Sequence, residues 1–154
     1  MKTGLTTILF LMAHWIVQAQ VATSHDVTIS FFSEAPIEDI KGVSKDGVSA
    51  LDVSSGSIYF KVAIRTFEFE KSLMQEHFNE NYLESSKYPY AEFNGTVKEP
   101  IDLTREGTAQ VTVQGDLNIH NVTRNYTVKG EIKVERGTIT AHASFPVKAA
   151  DHQI

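Results

Sequence analysis

Apolar and polar residues alternate with a period of two along most of the chain. In the segment SIYFKVAI, Ile58, Phe60 and Val62 share one phase while Tyr59 and Lys61 share the other. The same alternation recurs in VTISF, YAEFNGTV, AQVTVQGDLNIH, NYTVKGEIKVER and TITAHASFPVKA. Alternation of this kind is typical of a strand with one face in an apolar interior and the other in water. It predicts a protein built mainly of β-strands.

The strands are long and the segments between them are short and polar, as in HNVTRN and ERGT. Short connections join antiparallel neighbours, because a parallel crossover needs a dozen or more residues. Gly95, Gly115 and Gly130 fall in the apolar phase, where they either relieve crowding on the concave side of a curved sheet or mark sharp bends. We therefore predict an all-β fold, an antiparallel barrel of about eight strands around one interior.

The alternation changes phase after residue 65 and then stops. Phe67 and Phe69 follow on the opposite phase, which predicts a bulge or bend near Thr66. From Ser72, three large residues recur at helical spacing: Met74, Phe78 and Tyr82. They predict one short amphipathic helix of about three turns. Gln75, three positions after Ser72, predicts a capping box at its start. A single helix in a β-meander is suited to closing an open end of a barrel.

The first residues, MKTGLTTILFLMAHWIVQAQ, differ from the rest. Lys2 precedes an apolar run from Leu5 to Val17, and the small residue Ala19 offers a cleavage point. The run is short for a membrane anchor. It predicts an export signal over residues 1–19, removed to leave a domain over residues 20–154, in the periplasm or outside the cell. A buried N-terminal helix is the alternative.

Composition narrows the classes of function. The 154-residue chain carries 14 basic and 19 acidic residues, a formal charge of -5, without a basic patch. A nucleic-acid partner is therefore not expected. There is no cysteine, which excludes disulfides, thiol catalysis and cysteine metal sites.

Candidate polar chemistry is sparse. His77 and Glu80 are spaced to share a helix face, but the sequence lacks the further ligands that a zinc site needs. His120 follows a strand in which Asp116 lies four residues earlier, but the sequence offers no nucleophile motif. We interpret His120 as a hairpin residue that bonds to nearby backbone. We expect no catalytic residue, no metal and no cofactor. Three N-x-T sequons begin at Asn94, Asn121 and Asn125 and need no explanation beyond the frequency of Asn and Thr in β-turns.

Large apolar residues gather on one phase, among them Phe60, Tyr126 and Phe145. They form either an ordinary core or the wall of a ligand cavity. A barrel of about eight strands is near the size at which its interior either fills with side chains or holds one small ligand.

Two segments resemble the signature regions of the YceI-like, polyisoprenoid-binding family. The first, LMQEHFNENYLESSKYPYAEFNG, contains a helix that ends in a KYP turn before a strand with a central Phe. The second, VQGDLNIHNVTRNYTVKGEI, contains the pattern G-x-L-x-I-H-x-V-T followed by a basic residue, here Arg124. The resemblance covers roughly Val27 to Ile154.

The resemblance implies an exported, non-enzymatic, lipocalin-like barrel that holds a long isoprenoid lipid, such as a polyprenyl chain or a quinone tail. It places Phe78, Tyr82, Tyr88 and Phe93 at or near an apolar tunnel. With the apolar phase, the candidate ligand-binding residues are Phe60, Phe78, Tyr82, Tyr88, Phe93, Leu117, Ile119, Tyr126 and Phe145. Family members usually continue through a further strand after the segment FPVKAADHQI, so we expect the final strand to be lacking. The open edge would be exposed or covered by a second copy, which makes a homodimer one of the expected assemblies.

Three other readings stay open on the sequence. The barrel can have a solid core and act as a protein-interaction or envelope-stress module without bound lipid. It can be an outer-membrane barrel, although so few strands leave little lumen for Lys129, Glu131 and Lys133; we therefore expect that it does not span a membrane. A hydrolase is the most distant of the three.

Overall fold

The computed structural model describes residues 21–34 and 38–154, and the predicted export signal lies outside the described residues. Most of the described chain is β-structure. The strands are β1 (Val21–Ser33), β2 (Ile40–Asp52), β3 (Ser57–Ala63), β4 (Tyr90–Val97), β5 (Gly107–Ile119), β6 (Val122–Glu135) and β7 (Thr138–Ala143). One α-helix, α1 (Ser72–His77), lies between β3 and β4.

The seven strands form one antiparallel sheet in which each pairs with its neighbours in sequence, in the order β1 to β7. The sheet curls into a half-barrel whose first and last strands are not paired with each other. The prediction of an all-β, antiparallel, lipocalin-like fold that lacks a final strand is therefore confirmed, with seven strands in the described residues where about eight were predicted.

Two of the hairpins have two-residue turns, as the short polar segments predicted. Between β5 and β6, His120 and Asn121 have φ values of 54° and 59°. Between β6 and β7, Arg136 and Gly137 have φ values of 49° and 77°. Two successive positive φ angles match the twist of flanking strands, and Asn and Gly adopt them most readily. These turns fix the register of the last three strands.

Strand β2 was not predicted, because most of its inward positions before Leu51 are glycine or serine. Its buried residues include Gly42, Ser44 and Gly47. A Cβ added at Gly42 would lie 2.5 Å from the Phe31 ring, and one at Gly47 would lie 2.9 Å from Val27. The glycines thus make room for β1 side chains, and β1 itself carries two register shifts against β2.

The predicted bend near Thr66 is a 3-10 turn over Ile64–Thr66. The Thr66 hydroxyl donates to the Ala63 carbonyl at 2.7 Å and lies 2.6 Å from the hydroxyl of Ser44. The turn reverses the phase of the chain, so that Phe67 becomes buried with 5% of its surface exposed.

The helical region begins at Ser72 as predicted, but its details differ. No side chain caps α1, so the predicted capping box is wrong. After His77 the chain continues as a π-turn over Phe78–Tyr82, and the Leu83 amide donates to the Phe78 carbonyl at 2.9 Å. The wider turn moves the inward position from Tyr82, which is 52% exposed, to Leu83, which is 6% exposed.

The interior consists of two apolar clusters. The lower cluster includes Leu51, Val97 and Ile132, with loop residues Ile101 and Leu103 packed against it. The upper cluster joins the sheet to the helical region; its buried members are Val62, Ile64, Phe67, Phe78 and Leu83. A 3-10 turn over Ala149–His152 follows the last strand, and Ile154 packs against the upper cluster.

Candidate functional site

The inner face of the sheet holds the first group of candidate residues. Phe60 on β3 is directly opposite Phe93 on β4, and Phe93 is directly opposite Leu117 on β5. Directly opposed residues of an antiparallel pair point to the same face. The two aromatic rings are partly exposed and Leu117 is buried, so the three side chains form one apolar row across the half-barrel. We call Phe60, Phe93 and Leu117 the central row.

Two glycines explain how the central row fits. Gly95 and Gly115 are paired across β4 and β5, and both are on the inner phase. A Cβ added to either would lie 2.7 Å from the ring of Phe93. The Phe93 ring therefore lies over bare backbone, and the sequence-based expectation that these glycines relieve crowding is confirmed at both positions.

Tyr126 and Phe145 form the second group, beside the central row. Tyr126 is opposite Gly115, and its ring centroid is 5.4 Å from that of Phe145. The Tyr126 hydroxyl is 3.0 Å from Nε2 of His152, a side chain with no solvent exposure. Nδ1 of His152 donates to the Val122 carbonyl at 2.9 Å, because a carbonyl only accepts. With the proton on Nδ1, Nε2 accepts the hydrogen bond that the Tyr126 hydroxyl donates.

Burial raises the pKa of Tyr126 above its ordinary value near 10, and the charge of Asp151 adds to this effect. Arg124 acts in the opposite direction. The phenol is thus held in its neutral form, in which it is a hydrogen-bond donor to His152.

Phe78 lies in an aromatic cluster at the upper end of the half-barrel. Its ring stacks on Phe31 with the centroids 5.2 Å apart and an interplanar angle of 14°. Phe69 and Phe67 contact the same ring at centroid distances of 4.9 and 5.7 Å. Ile119 packs against this cluster from β5. The helical region therefore caps this end of the sheet with apolar contacts.

Tyr88 and Tyr82 lie elsewhere. The Tyr88 ring meets the imidazole of His120 edge-on, with centroids 4.5 Å apart. Tyr82 is among the exposed large hydrophobic residues, and the structure does not bring it to the central row. Of the nine candidates, Phe60, Phe93, Leu117, Tyr126 and Phe145 lie together, while Phe78 and Ile119 belong to the upper cluster.

A polar network around His120 lies at the upper end of the half-barrel, next to the helical region. His120 Nε2 is 2.7 Å from a carboxylate oxygen of Glu84, and its Nδ1 is 3.3 Å from the His152 carbonyl. Glu84 has a φ of 43°, so the loop after the helical region is held in a strained conformation. The network links three segments: the helical loop, the β5–β6 hairpin and the C-terminal turn.

Sequence reasoning did not propose His152, Leu83 or Ile154 as part of this region. His152 follows the last predicted strand and carries no local signal. Leu83 is brought inward by the π-turn, which no periodicity indicated. His120 was interpreted as a hairpin residue bonded to nearby groups, and the structure gives it a carboxylate partner from a distant loop.

Within residues 21–34 and 38–154, no group of three or more His, Asp or Glu side chains could hold a metal ion. No helix there is long and apolar enough to cross a membrane. Two open depressions, of about 330 and 370 Å³, lie beside α1 and on the outer face of β3–β6, away from the central row.

Comparison with solved structures shows the same fold in distant proteins. A polyisoprenoid binding domain from Saccharophagus degradans, implicated in plant cell wall breakdown, superimposes with a TM-score of 0.70 at 14% identity, covering 88% of this chain and 81% of that one. BcnA of Burkholderia cenocepacia gives a TM-score of 0.52 at 12% identity, and the alignment covers 84% of this chain and 70% of BcnA. A mutant of the Campylobacter jejuni YceI protein with a monobromobimane guest structure gives a TM-score of 0.52 at 17% identity, and the alignment covers 96% of this chain and 79% of the mutant.

Comparison with curated proteins found no match. The model of the YceI-like domain, in contrast, matches residues 10–154, which includes every strand and the helical region described above. The chain belongs to the YceI-like family.

Proposed function

We propose that the protein is an exported, non-enzymatic binding protein that holds a long isoprenoid lipid against the inner face of its half-barrel. The observation that carries the proposal is the central row, in which partly exposed Phe60 and Phe93 continue into Leu117 across three strands. Large aromatic side chains on a concave face provide the apolar wall that such a ligand requires.

The chemistry of the inner face favours binding over catalysis. The inward positions of β3, β4 and β5 are apolar residues or glycine, which supply neither a nucleophile nor a proton-transfer group. Burying one five-carbon isoprene unit stabilises a complex by about 4 kcal/mol before ordering costs. A chain of several units therefore binds tightly without many polar contacts.

One structural neighbour supports the proposed ligand class. The structural neighbour from Saccharophagus degradans is described as a polyisoprenoid binding domain. Its fold is shared by this chain, and the central row offers a matching apolar surface. A polyprenyl chain or an isoprenoid-quinone tail is the ligand that we propose, with no cofactor, no metal and no nucleic-acid partner.

Export is part of the proposal. Residues 1–19 have the composition of a secretory signal, and cleavage after Ala19 would release the domain into the periplasm or the medium. Mass spectrometry of protein recovered from the periplasm or medium should give Gln20 as the first residue. A mature protein that begins at Met1 and stays inside the cell would contradict export without affecting lipid binding.

The binding proposal is tested on protein purified from cells without detergent. Native mass spectrometry should show a bound hydrophobic molecule, and solvent extraction should yield an isoprenoid. After lipid removal, we expect Phe60→Ala to lower the affinity for farnesol about 5- to 30-fold, since it removes most of one aromatic contact. Tyr59→Ala, on the outer face of the same strand, is the matched control and should bind normally. Equal affinities for both variants, or a ligand-free protein that does not bind farnesol, would refute the proposal.

The second candidate function is a lipid-free interaction module that pairs through a sheet edge. The observation that favours it is β7, an edge strand without charge, proline or bulge over Thr138–Ala143. Such an edge is open to pairing with a second copy. Light scattering on the delipidated protein should then show a dimer that Thr140→Pro disrupts, and extraction should yield no lipid.

A further inference from the structure

The central row does not end at Leu117. Leu117 on β5 is directly opposite Arg124 on β6, so Arg124 continues the row on the inner face. With strands about 4.8 Å apart, the row from Phe60 to Arg124 spans roughly 14 Å across the sheet. It therefore consists of three apolar side chains followed by one cation.

Arg124 is exceptional on this face. Every other inward position on strands β3 to β7 is an apolar residue, a glycine or Tyr126. A guanidinium group is costly to place on an apolar face unless it reaches solvent or a partner. Arg124 is exposed, which means that its head reaches the open side of the half-barrel.

Arg124 lies on the unpaired part of β6. Strand β7 pairs with β6 only from Gly130 onwards, so the edge of β6 at Arg124 has no neighbouring strand, and the segment after β7 contacts this stretch at Tyr126 and at the Val122 carbonyl. The described salt bridges do not include Arg124, and its hydrogen bond is a 3.3 Å contact to the adjacent Thr123 carbonyl. Asp151 and Arg124 both act on the Tyr126 hydroxyl, with opposite signs, so one carboxylate lies in the same neighbourhood. Most of the N–H donors of the guanidinium are thus available to a ligand.

We propose that Arg124 binds the anionic head of the lipid, a phosphate or a carboxylate, while the chain lies along Phe60, Phe93 and Leu117. This inference rests on the proposed lipid-binding function. The planar guanidinium presents two parallel N–H donors to either anion, which gives a directional, charge-assisted contact. The apolar row sets the affinity for the chain, and Arg124 distinguishes a charged head from a neutral one.

An inward-pointing charge on an edge strand also discourages pairing with another chain, and this role requires no ligand. The two roles differ in what they predict. A protective charge influences self-association alone, whereas a head-binding charge changes the affinity for anionic ligands and leaves that for neutral ligands unchanged.

The test uses delipidated protein and isothermal titration calorimetry with two pairs of probes: farnesyl phosphate with farnesol, and palmitate with hexadecanol. The variant is Arg124→Gln. The matched control is Lys129→Gln, which removes the same charge from the outer face of the same strand, where Lys129 contacts Thr112. Circular dichroism checks that both variants are folded.

We expect Arg124→Gln to raise the Kd for an anionic probe about 10- to 100-fold, as loss of a charged hydrogen bond does, and to change the Kd for the neutral probe less than about 2-fold. Arg124→Lys should recover part of the loss. Salt should weaken anionic binding to the wild type and to Lys129→Gln. A larger loss for farnesyl phosphate than for palmitate identifies phosphate as the preferred head, and the reverse identifies a carboxylate.

Three results would overturn the inference. Equal losses for anionic and neutral probes would show that Arg124 only packs against the chain. Equal losses in Arg124→Gln and Lys129→Gln would show a general effect of net charge. Failure of the wild type to bind any probe would refute the proposed function together with the inference, whereas normal farnesol binding with no Arg124 effect would refute the inference alone.

Discussion

Gly115 is the position where a single added methyl group should do most harm, and Gly115→Ala is the substitution that tests how the central row is built. A Cβ there would lie 2.7 Å from the Phe93 ring and 2.5 Å from the Cα of Gly95, with the Asn94 carbonyl also in contact. Two of these contacts are with backbone atoms of β4, which move only if the strand pair separates.

The expected magnitude follows from two opposing effects. Overpacking of this kind costs about 1–3 kcal/mol. Replacing Gly by Ala also restricts the unfolded chain, which returns about 0.4–1 kcal/mol. We therefore expect Gly115→Ala to lower the free energy of unfolding by about 1–2 kcal/mol, a large part of the 5–15 kcal/mol typical of a domain. Displacement of the Phe93 ring should also weaken farnesol binding.

Urea denaturation followed by circular dichroism measures the change, and Gly130→Ala is the control. Gly130 also lies on the inner phase, but an added Cβ would be 3.1 Å from the His142 carbonyl and 3.3 Å from the Ala143 Cβ. Both neighbours belong to the edge strand β7, which can shift by a few tenths of an ångström. We expect a change within about 0.5 kcal/mol there. If the two variants were equally stable, or Gly115→Ala were stabilising, the close approach of β4 and β5 would not control the row.

Three further predictions concern the cap and its polar network. Leu83→Ala should lower the free energy of unfolding by about 2–4 kcal/mol in urea denaturation, whereas Tyr82→Ala should lower it by about 0.5 kcal/mol or less, because the π-turn buries Leu83 and leaves Tyr82 exposed. Equal effects of the two substitutions would contradict the π-turn. Because the pKa of Tyr126 is raised on folding, its contribution to stability is complete below about pH 10 and is lost as the pH rises through the folded value; Tyr126→Phe should therefore reduce the loss of stability above about pH 10, and an unchanged alkaline profile would count against it. Glu84→Gln should cost about 0.5–1 kcal/mol by weakening its partly exposed pair with His120, an effect that 1 M salt should diminish in the wild type.

The sequence was sufficient for the strands that alternate large apolar and polar residues. The inward positions of Phe60, Phe93 and Leu117 could be predicted, because the period of two assigns each residue to a face of its strand without knowledge of the neighbouring strands. Strand β2 could not be predicted in this way, because Gly42 and Gly47 are buried through their fit against side chains of β1. Their burial is a property of the strand pair and leaves no pattern in one strand.

The helical region shows a second limit of prediction from the sequence. Regular spacing of Met74, Phe78 and Tyr82 predicted an inward Tyr82, and a single π-turn exchanged it for Leu83. The polar network shows a third limit, since His120, Glu84 and His152 come from three separate parts of the chain. A hydrogen bond between distant residues becomes visible only when the fold brings them together.

Arg124 and the segment that follows β7 meet at the unpaired edge of β6. Its ladder with β7 stops at the Gly130–Ala143 pair, and beyond that point side chains attach the following segment to β6: Phe145 to Tyr126, and His152 to the Val122 carbonyl. Such contacts separate at a lower free-energy cost than a continuous ladder of backbone hydrogen bonds. The side of the half-barrel that carries Arg124 is therefore held by side-chain contacts where the backbone ladder has stopped. If the protein binds a long apolar chain as we propose, we expect the chain to reach the central row there by displacing these side-chain contacts without unpairing any strand, while the aromatic cluster around Phe78 closes the upper end.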